Sequence, residues 1–169
     1  MLMLKDNSNE ILPVVNESGE VIGKATRGEC HSGKGIIHPV VHLQVFNPQG
    51  ELYLQRRPLW KDIQPGKWDI SVGGHIDYGE TPEVALIREA REELGITDFS
   101  KEPIGKYIFE SGPDKEFVYS WKTIYSGEIK PLDELDGGKF WSIREIEENL
   151  GKGIFTESFE NEFKMINKK

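Results

Sequence analysis

Short apolar runs broken by turn residues fill the first seventy positions. Ile11-Leu12-Pro13-Val14-Val15 is one such run. It is closed by Asn16-Glu17-Ser18-Gly19-Glu20 and resumed at Val21-Ile22. Residues 23–33 are mixed enough to hold a helical turn. Val40 to Phe46 alternates around His42 and Gln44 and predicts a strand. Asn47-Pro48-Gln49-Gly50 predicts a turn, with Glu51 to Gln55 as its hairpin partner. Trp68 to Val72 predicts another short strand, ending at Gly73-Gly74.

The pattern then changes period. Thr81 suits an N-cap, Pro82 the first helical position, Glu83 the first turn and Gly95 the C-terminal cap. Between them Ile87, Ala90 and Leu94 fall on one face, and Glu89, Glu92 and Glu93 on the other. Further on, Tyr107–Phe109 and Phe117–Tyr125 read as strands around a Ser111–Asp114 turn, and Lys139–Trp141 as a last strand. Ser142 starts a helix through Leu150. Thr156 starts another to about Asn167, with Phe159, Phe163 and Ile166 on its apolar side. This irregular order predicts an α/β (α+β) sandwich rather than a regularly wound sheet.

Composition narrows the class. At 169 residues and 37% hydrophobic, residues 1–169 read as one domain with a real core. The single cysteine, Cys30, excludes an internal disulfide framework and a multi-Cys zinc site. No apolar run approaches the ~20 residues of a membrane helix, and the N-terminus turns polar at Lys5-Asp6, unlike a secretory signal. A cytoplasmic protein, monomer or homodimer, is the expectation. A net charge of −8, from 29 acids and 21 bases, argues against nucleic-acid polymers and membranes as partners. It also raises the question of how such a chain would hold an anionic substrate.

The glutamate face bears on that question. Carboxylates at i, i+3 and i+4 converge on one point and repel one another there unless a cation intervenes. Mg²⁺ favours such hard oxygen ligands and shares itself with substrate phosphates. Alone, an acidic helix face also suits plain solvation. The preceding residues change the balance. Gly73-Gly74 permits close backbone approach, so that a carbonyl can join the ligands, and Arg88 can hold a carboxylate by a bidentate pair.

Residues 74–96 read G-H-I-D-Y-G-E-T-P-E-V-A-L-I-R-E-A-R-E-E-L-G-I. This stretch resembles the Nudix box, G-x5-E-x7-R-E-U-x-E-E-x-G-U, where U is a bulky aliphatic. Gly74, Glu80, Arg88, Glu89, Glu92, Glu93, Gly95 and Ile96 all fit; Ala90 is smaller than usual. The resemblance implies the Nudix fold, a mixed sheet between helices, and hydrolysis of a small-molecule diphosphate with Mg²⁺ or Mn²⁺. It implies Glu92 and Glu93 as main metal ligands, the Gly73 carbonyl as a third, Glu89 as a ligand or the base, and Arg88 in the catalytic set. It also points to the acidic loop holding Glu134 and Asp136 as a source of a further glutamate.

Outside the box, V-N-E-S-G-E-V-I-G, C-H-S-G-K-G-I-I-H, L-Q-R-R-P-L-W-K and P-G-K-W-D-I-S-V-G-G-H are similar to the isopentenyl-diphosphate isomerase branch of that superfamily. That similarity implies a second metal site from His31, His38, His75, Asp114 and Glu116, and substrate binding by Arg57, Lys61 and Arg27. Of the adjacent Arg56 and Arg57, only one would face the site from a strand. Two departures separate this chain from the isomerases. Gly73 stands where they carry a catalytic cysteine, and Glu89 and Glu92 are kept where they lose acids. The expectation is a hydrolase acting on a nucleoside diphosphate or its derivative. The alternatives are an isopentenyl-diphosphate isomerase and a non-catalytic module that binds a nucleotide or sugar phosphate.

Overall fold

The computed structural model describes residues 7–61, 64–131 and 137–166. Glu134, Asp136 and the expected helix end at Asn167 lie outside the described residues. Strands β1 (Ile11–Val15) and β2 (Val21–Thr26) form a separate hairpin. The Asn16 side-chain oxygen accepts from the backbone N–H groups of Ser18 and Glu20 at 2.9 and 3.0 Å and sets the turn, with Gly19 at φ 86°. Thr26 and Glu29 form a capping box on the short helix α1 (Arg27–Cys30), which delivers His31 at its end.

The main sheet is built on β3 (His38–Phe46), followed by β4 (Leu52–Arg56), β5 (Trp68–Asp69) and β6 (Val72–His75). Helix α2 (Pro82–Leu94) starts at Thr81, whose side chain accepts from Val84 N–H, and stops at Gly95 in the left-handed region at φ 69°. Strands β7 (Glu102–Ser111), β8 (Asp114–Ile124) and β9 (Gly138–Trp141) follow, then α3 (Ile143–Asn149) and α4 (Glu157–Ile166). Among the described residues the sheet has seven strands in the order β5-β4-β3-β8-β7, with β6 added on β3 and β9 on β4. The β3–β8 pair is parallel and the others antiparallel.

Alternation along β3 assigns the two faces. Val41, Leu43 and Val45 pack with Leu86, Ala90 and Leu94 of α2. On the other side Leu52, Leu54, Ile70 and Trp141 pack with Ile146 of α3 and Phe159 and Phe163 of α4. The expected sheet between helices is therefore what forms. Among the described residues no helix is long and apolar enough to cross a membrane.

Three local expectations are corrected. The Trp68–Val72 strand is two strands. Residues 70 and 72 of one strand would share a face, yet Ile70 belongs to the core under α4 and Val72 to the core under α2. The chain therefore breaks between them and transfers from β4 to β3, and β6 runs on to His75. The crossing is pinned by Ser71, whose hydroxyl accepts from Val45 N–H at 2.9 Å and donates to the Tyr53 carbonyl. For the same reason the expected β3–β4 hairpin shares only the pair Phe46–Leu52 before β5 and β6 separate its arms. On α2, Ile87 is 40% exposed; the buried stripe is Leu86, Ala90 and Leu94, joined by Ala85. The longer row at i, i+4, i+8 follows the groove over the sheet better than the row through Ile87.

Candidate metal centre and substrate cleft

A cleft of about 460 Å³ opens along β6, bordered by α2, the start of β8 and the loop after β4. Its α2 side is organised by glycine. The carboxylate of Glu89 lies on Gly74 so closely that a Cβ there would occupy the same space. One turn on, Glu93 accepts from Gln55 Nε2 at 2.8 Å and from the Gly73 N–H at 3.2 Å. A residue's N–H and C=O lie on the same edge of an antiparallel strand, so the Gly73 carbonyl shares the open edge that faces Glu93.

Arg88 fixes this arrangement. Its Nε and Nη2 donate to Glu80 at 2.7 and 2.8 Å, its Nη1 to Glu89 at 2.6 Å, and its Nη2 also to the His75 carbonyl at 3.1 Å. Burial pushes the Glu89 carboxyl up to about 6, and burial together with the Glu89 carboxylate pushes Glu93 well above its usual value. Two adjacent carboxyls held this way call for a shared proton or a cation. Glu92 is the most exposed of the three glutamates: its side chain is 48% exposed and accepts at 3.3 Å from Arg88 Nη1, the nitrogen that also holds Glu89.

Opposite, the end of α1, β3, β6 and the start of β8 bring together the five residues of the expected second site. The ligand atoms of His31, His38 and His75 lie within 4.8 Å of one another, as do those of His38, Asp114 and Glu116. Nε2 of His38 and Oδ1 of Asp114 are buried with no hydrogen-bond partner among the described residues. Burial pushes the His38 imidazole down to about 4 and the His75 imidazole well below its usual value, which leaves neutral rings that can ligate. Burial and the Asp114 carboxylate push Glu116 up to about 8. This donor set fits a divalent cation, with one reservation built into the geometry. Arg27 Nη1 lies 3.0 Å from His75 Nδ1. A guanidinium only donates, so Nδ1 accepts and the ring proton sits on Nε2. Neither nitrogen of His75 can then ligate until Arg27 moves.

Of the expected basic residues, Arg57, Lys61 and Arg27 all line the cleft. Arg57 donates to Asp69 at 3.1 Å, Arg27 to Glu10 at 3.1 Å, and the Lys61 ammonium lies 5.1 Å from the Trp60 ring centre. The neighbouring Arg56 instead donates to the Gly66 carbonyl at 3.2 Å.

One buried cluster went unread in the sequence. His42 and Gln44, the polar positions of β3, are 6% and 0% exposed. Both donate to Glu162 of α4, from His42 Nδ1 at 2.8 Å and Gln44 Nε2 at 2.6 Å, and Ser120 and Tyr107 donate from β8 and β7 at 2.6 and 2.5 Å. Burial opposes both charges. The His42 imidazolium and the hydroxyls nevertheless hold Glu162 down at about 2, and Glu162 holds His42 above its usual value. The signal available was Glu162 itself, an acid between Phe159 and Phe163 on the inward side of α4.

Comparison with known proteins agrees with this geometry. The NUDIX domain profile matches residues 37–159. An uncharacterized Nudix hydrolase, SCO1686 of Streptomyces coelicolor, is 30% identical over 158 residues, 90% of this chain and 85% of that one. An isopentenyl-diphosphate Delta-isomerase of Streptomyces avermitilis is 30% identical over 156 residues, 88% of this chain and 79% of that one. The crystal structure of DR0079 from Deinococcus radiodurans superimposes with a TM-score of 0.78 at 26% identity, over 92% of this chain and 99% of that one.

Proposed function

The chain belongs to the Nudix family of hydrolases, with an isomerase-like branch among its relatives, and from that premise we propose that it cleaves the diphosphate linkage of a nucleoside diphosphate or a derivative of one. The observation that carries this reading is the Glu89–Glu93 pair set against Gly73 and Gly74 and clamped by Arg88. Glu89, Glu92, Glu93 and the Gly73 carbonyl would hold Mg²⁺ or Mn²⁺. The cation would supply neutralisation of phosphate oxygens and activation of the attacking water. Glu89, with its carboxyl near 6, is suited to take the proton from that water near neutral pH. Arg88 keeps Glu89 oriented, and Arg57 and Lys61 meet the phosphates from the cleft wall. Attack at phosphorus releases a monophosphate and the second phosphate-bearing group.

The test is incubation with Mg²⁺ or Mn²⁺ and a panel of nucleoside diphosphates and their derivatives, following release of phosphate or nucleoside monophosphate. Glu93→Gln is expected to lower the rate by at least about 100-fold, the scale of losing one preorganised charge contact. No turnover of any compound, or full rate in Glu93→Gln, counts against the proposal. A second reading, isopentenyl-diphosphate isomerase, draws on the assembled His31, His38, His75, Asp114 and Glu116 cluster. NMR of proton exchange at the allylic carbon in D₂O tests it, and Gly73 in place of a thiol predicts no exchange.

A further inference from the structure

Glu162 joins α4 to three strands at once, through His42 and Gln44 of β3, Ser120 of β8 and Tyr107 of β7. Anchoring the helix does not explain such a group. Phe159 and Phe163 already seat α4 in the core, and a buried ion pair holds a helix no better than apolar packing of the same volume. What the pair adds is direction. With Nδ1 fixed on Glu162, the other edge of the His42 ring is turned toward Gly73. Its Cδ2 and Nε2 lie 3.5 and 3.9 Å from the place a Gly73 Cβ would take. His42 lines the cleft there, together with Glu89, Glu93, Asp114 and Glu116. The carboxylates of Glu116 and Asp69 add to the negative potential at the ring. Gly73 leaves open the space through which the ring reaches the cleft.

We propose that His42 is a substrate-binding residue, its Nε2–H donating to a diphosphate oxygen above Gly73, and that Glu162 is the positioning residue that aims it. This rests on the reading of the cleft as a diphosphate site. A cationic donor on a rigid strand is suited to bridge phosphates held between two acidic clusters, because it needs no rearrangement on binding.

The experiment is calorimetric titration of methylenediphosphonate into the full chain with Mg²⁺, beside thermal melts and a KM-against-kcat comparison on an active nucleoside diphosphate. His42→Gln and Glu162→Gln are each expected to weaken binding by about 10- to 100-fold, as for loss of a hydrogen bond to a charged group, and to raise KM more than they lower kcat. The double variant should bind no worse than His42→Gln alone. Ser120→Ala and Tyr107→Phe remove other bonds of the same carboxylate, so they should lower the melting temperature and leave affinity within about 2-fold. Wild-type affinity in His42→Gln overturns the proposal, as does affinity that falls in step with melting temperature across all four variants. Should His42→Gln not fold, Glu162→Gln set against Ser120→Ala makes the same distinction. A wild type that does not bind the diphosphonate overturns both this proposal and the diphosphate reading.

Discussion

Gly74→Ala is the smallest change that should disable the site. A Cβ at Gly74 falls within the Glu89 carboxylate, whereas one at Gly73 meets nothing nearer than His42 at 3.5 Å. Gly74 has no positive φ, so the alanine backbone itself is unstrained. The cost is therefore steric and local. Either Glu89 leaves Arg88, forfeiting a charge-assisted bond of about 1.5–3 kcal/mol, or β6 shifts, with an overpacking cost of about 1–3 kcal/mol. For a domain of this size, that is a fall in melting temperature of under about 10 °C. A carboxylate displaced from its catalytic position costs far more in rate, about 10²- to 10⁴-fold for a general base. Gly74→Ala should thus melt as a folded protein and lose at least about 100-fold in kcat/KM, measured by phosphate release with Mg²⁺. Because the lesion acts through Glu89, combining it with Glu89→Gln should cost little beyond either alone. A Gly74→Ala enzyme with wild-type kcat/KM, or losses that multiply in the double variant, would refute the reasoning.

Other outcomes follow from the same geometry. Arg88→Lys keeps the charge but loses the fork that spans Glu80 and Glu89, so Mn²⁺ affinity by calorimetry should drop about 10- to 100-fold. Arg27→Met frees His75 Nδ1 and should tighten cation binding at the histidine cluster by about 10-fold in the absence of substrate; unchanged affinity would show that Arg27 does not compete there. Protons compete with the cation at Glu89 and at Glu93, which is held well above its usual value, so Mg²⁺ affinity should fall as pH drops through about 6. Glu162 is depressed from 4.5 to about 2 and is buried. Its contribution, about 3 kcal/mol, is present above pH 4.5 and lost as pH falls toward 2; urea melts across that window should show the loss, and Glu162→Gln should flatten it.

The α2 site was legible because its information is local. The three glutamates and Arg88 lie within one helix, its caps Thr81 and Gly95 flank it directly, and the Gly73-Gly74 pair signals close approach. The structure adds what approaches: a side chain, Glu89, and not only a ligand carbonyl. Gln55 on Glu93 was not legible, since it depends on the transfer of the chain from β4 to β3 that brings residues 38 apart together. His42 and Gln44 show the limit of reading alternation. Polar positions on a strand signal a face that is not apolar, but not whether that face meets water or a buried carboxylate 120 residues away. The histidine cluster lay between these cases. Its members come from four elements, and only the family resemblance placed them together in advance.

The question of how a chain of net charge −8 holds an anion has a spatial answer. Among the acids of the cleft are two pairs, Glu89 with Glu93 and Asp114 with Glu116, and Glu89, Glu93 and Glu116 are raised toward the neutral form. Arg57, Lys61 and His42 line the same cleft. With those three carboxyls protonated, the pocket has little to grip a diphosphate. Replacing those protons by divalent cations leaves each pair near neutral but offers phosphate oxygens a cation with open coordination positions, while the carboxylates stay satisfied. Affinity for methylenediphosphonate should therefore be weak in chelator and rise at least about 10-fold with Mg²⁺ or Mn²⁺. Equal affinity in chelator would mean that Arg57, Lys61 and His42 alone carry the anion and that the acid pairs serve some other end.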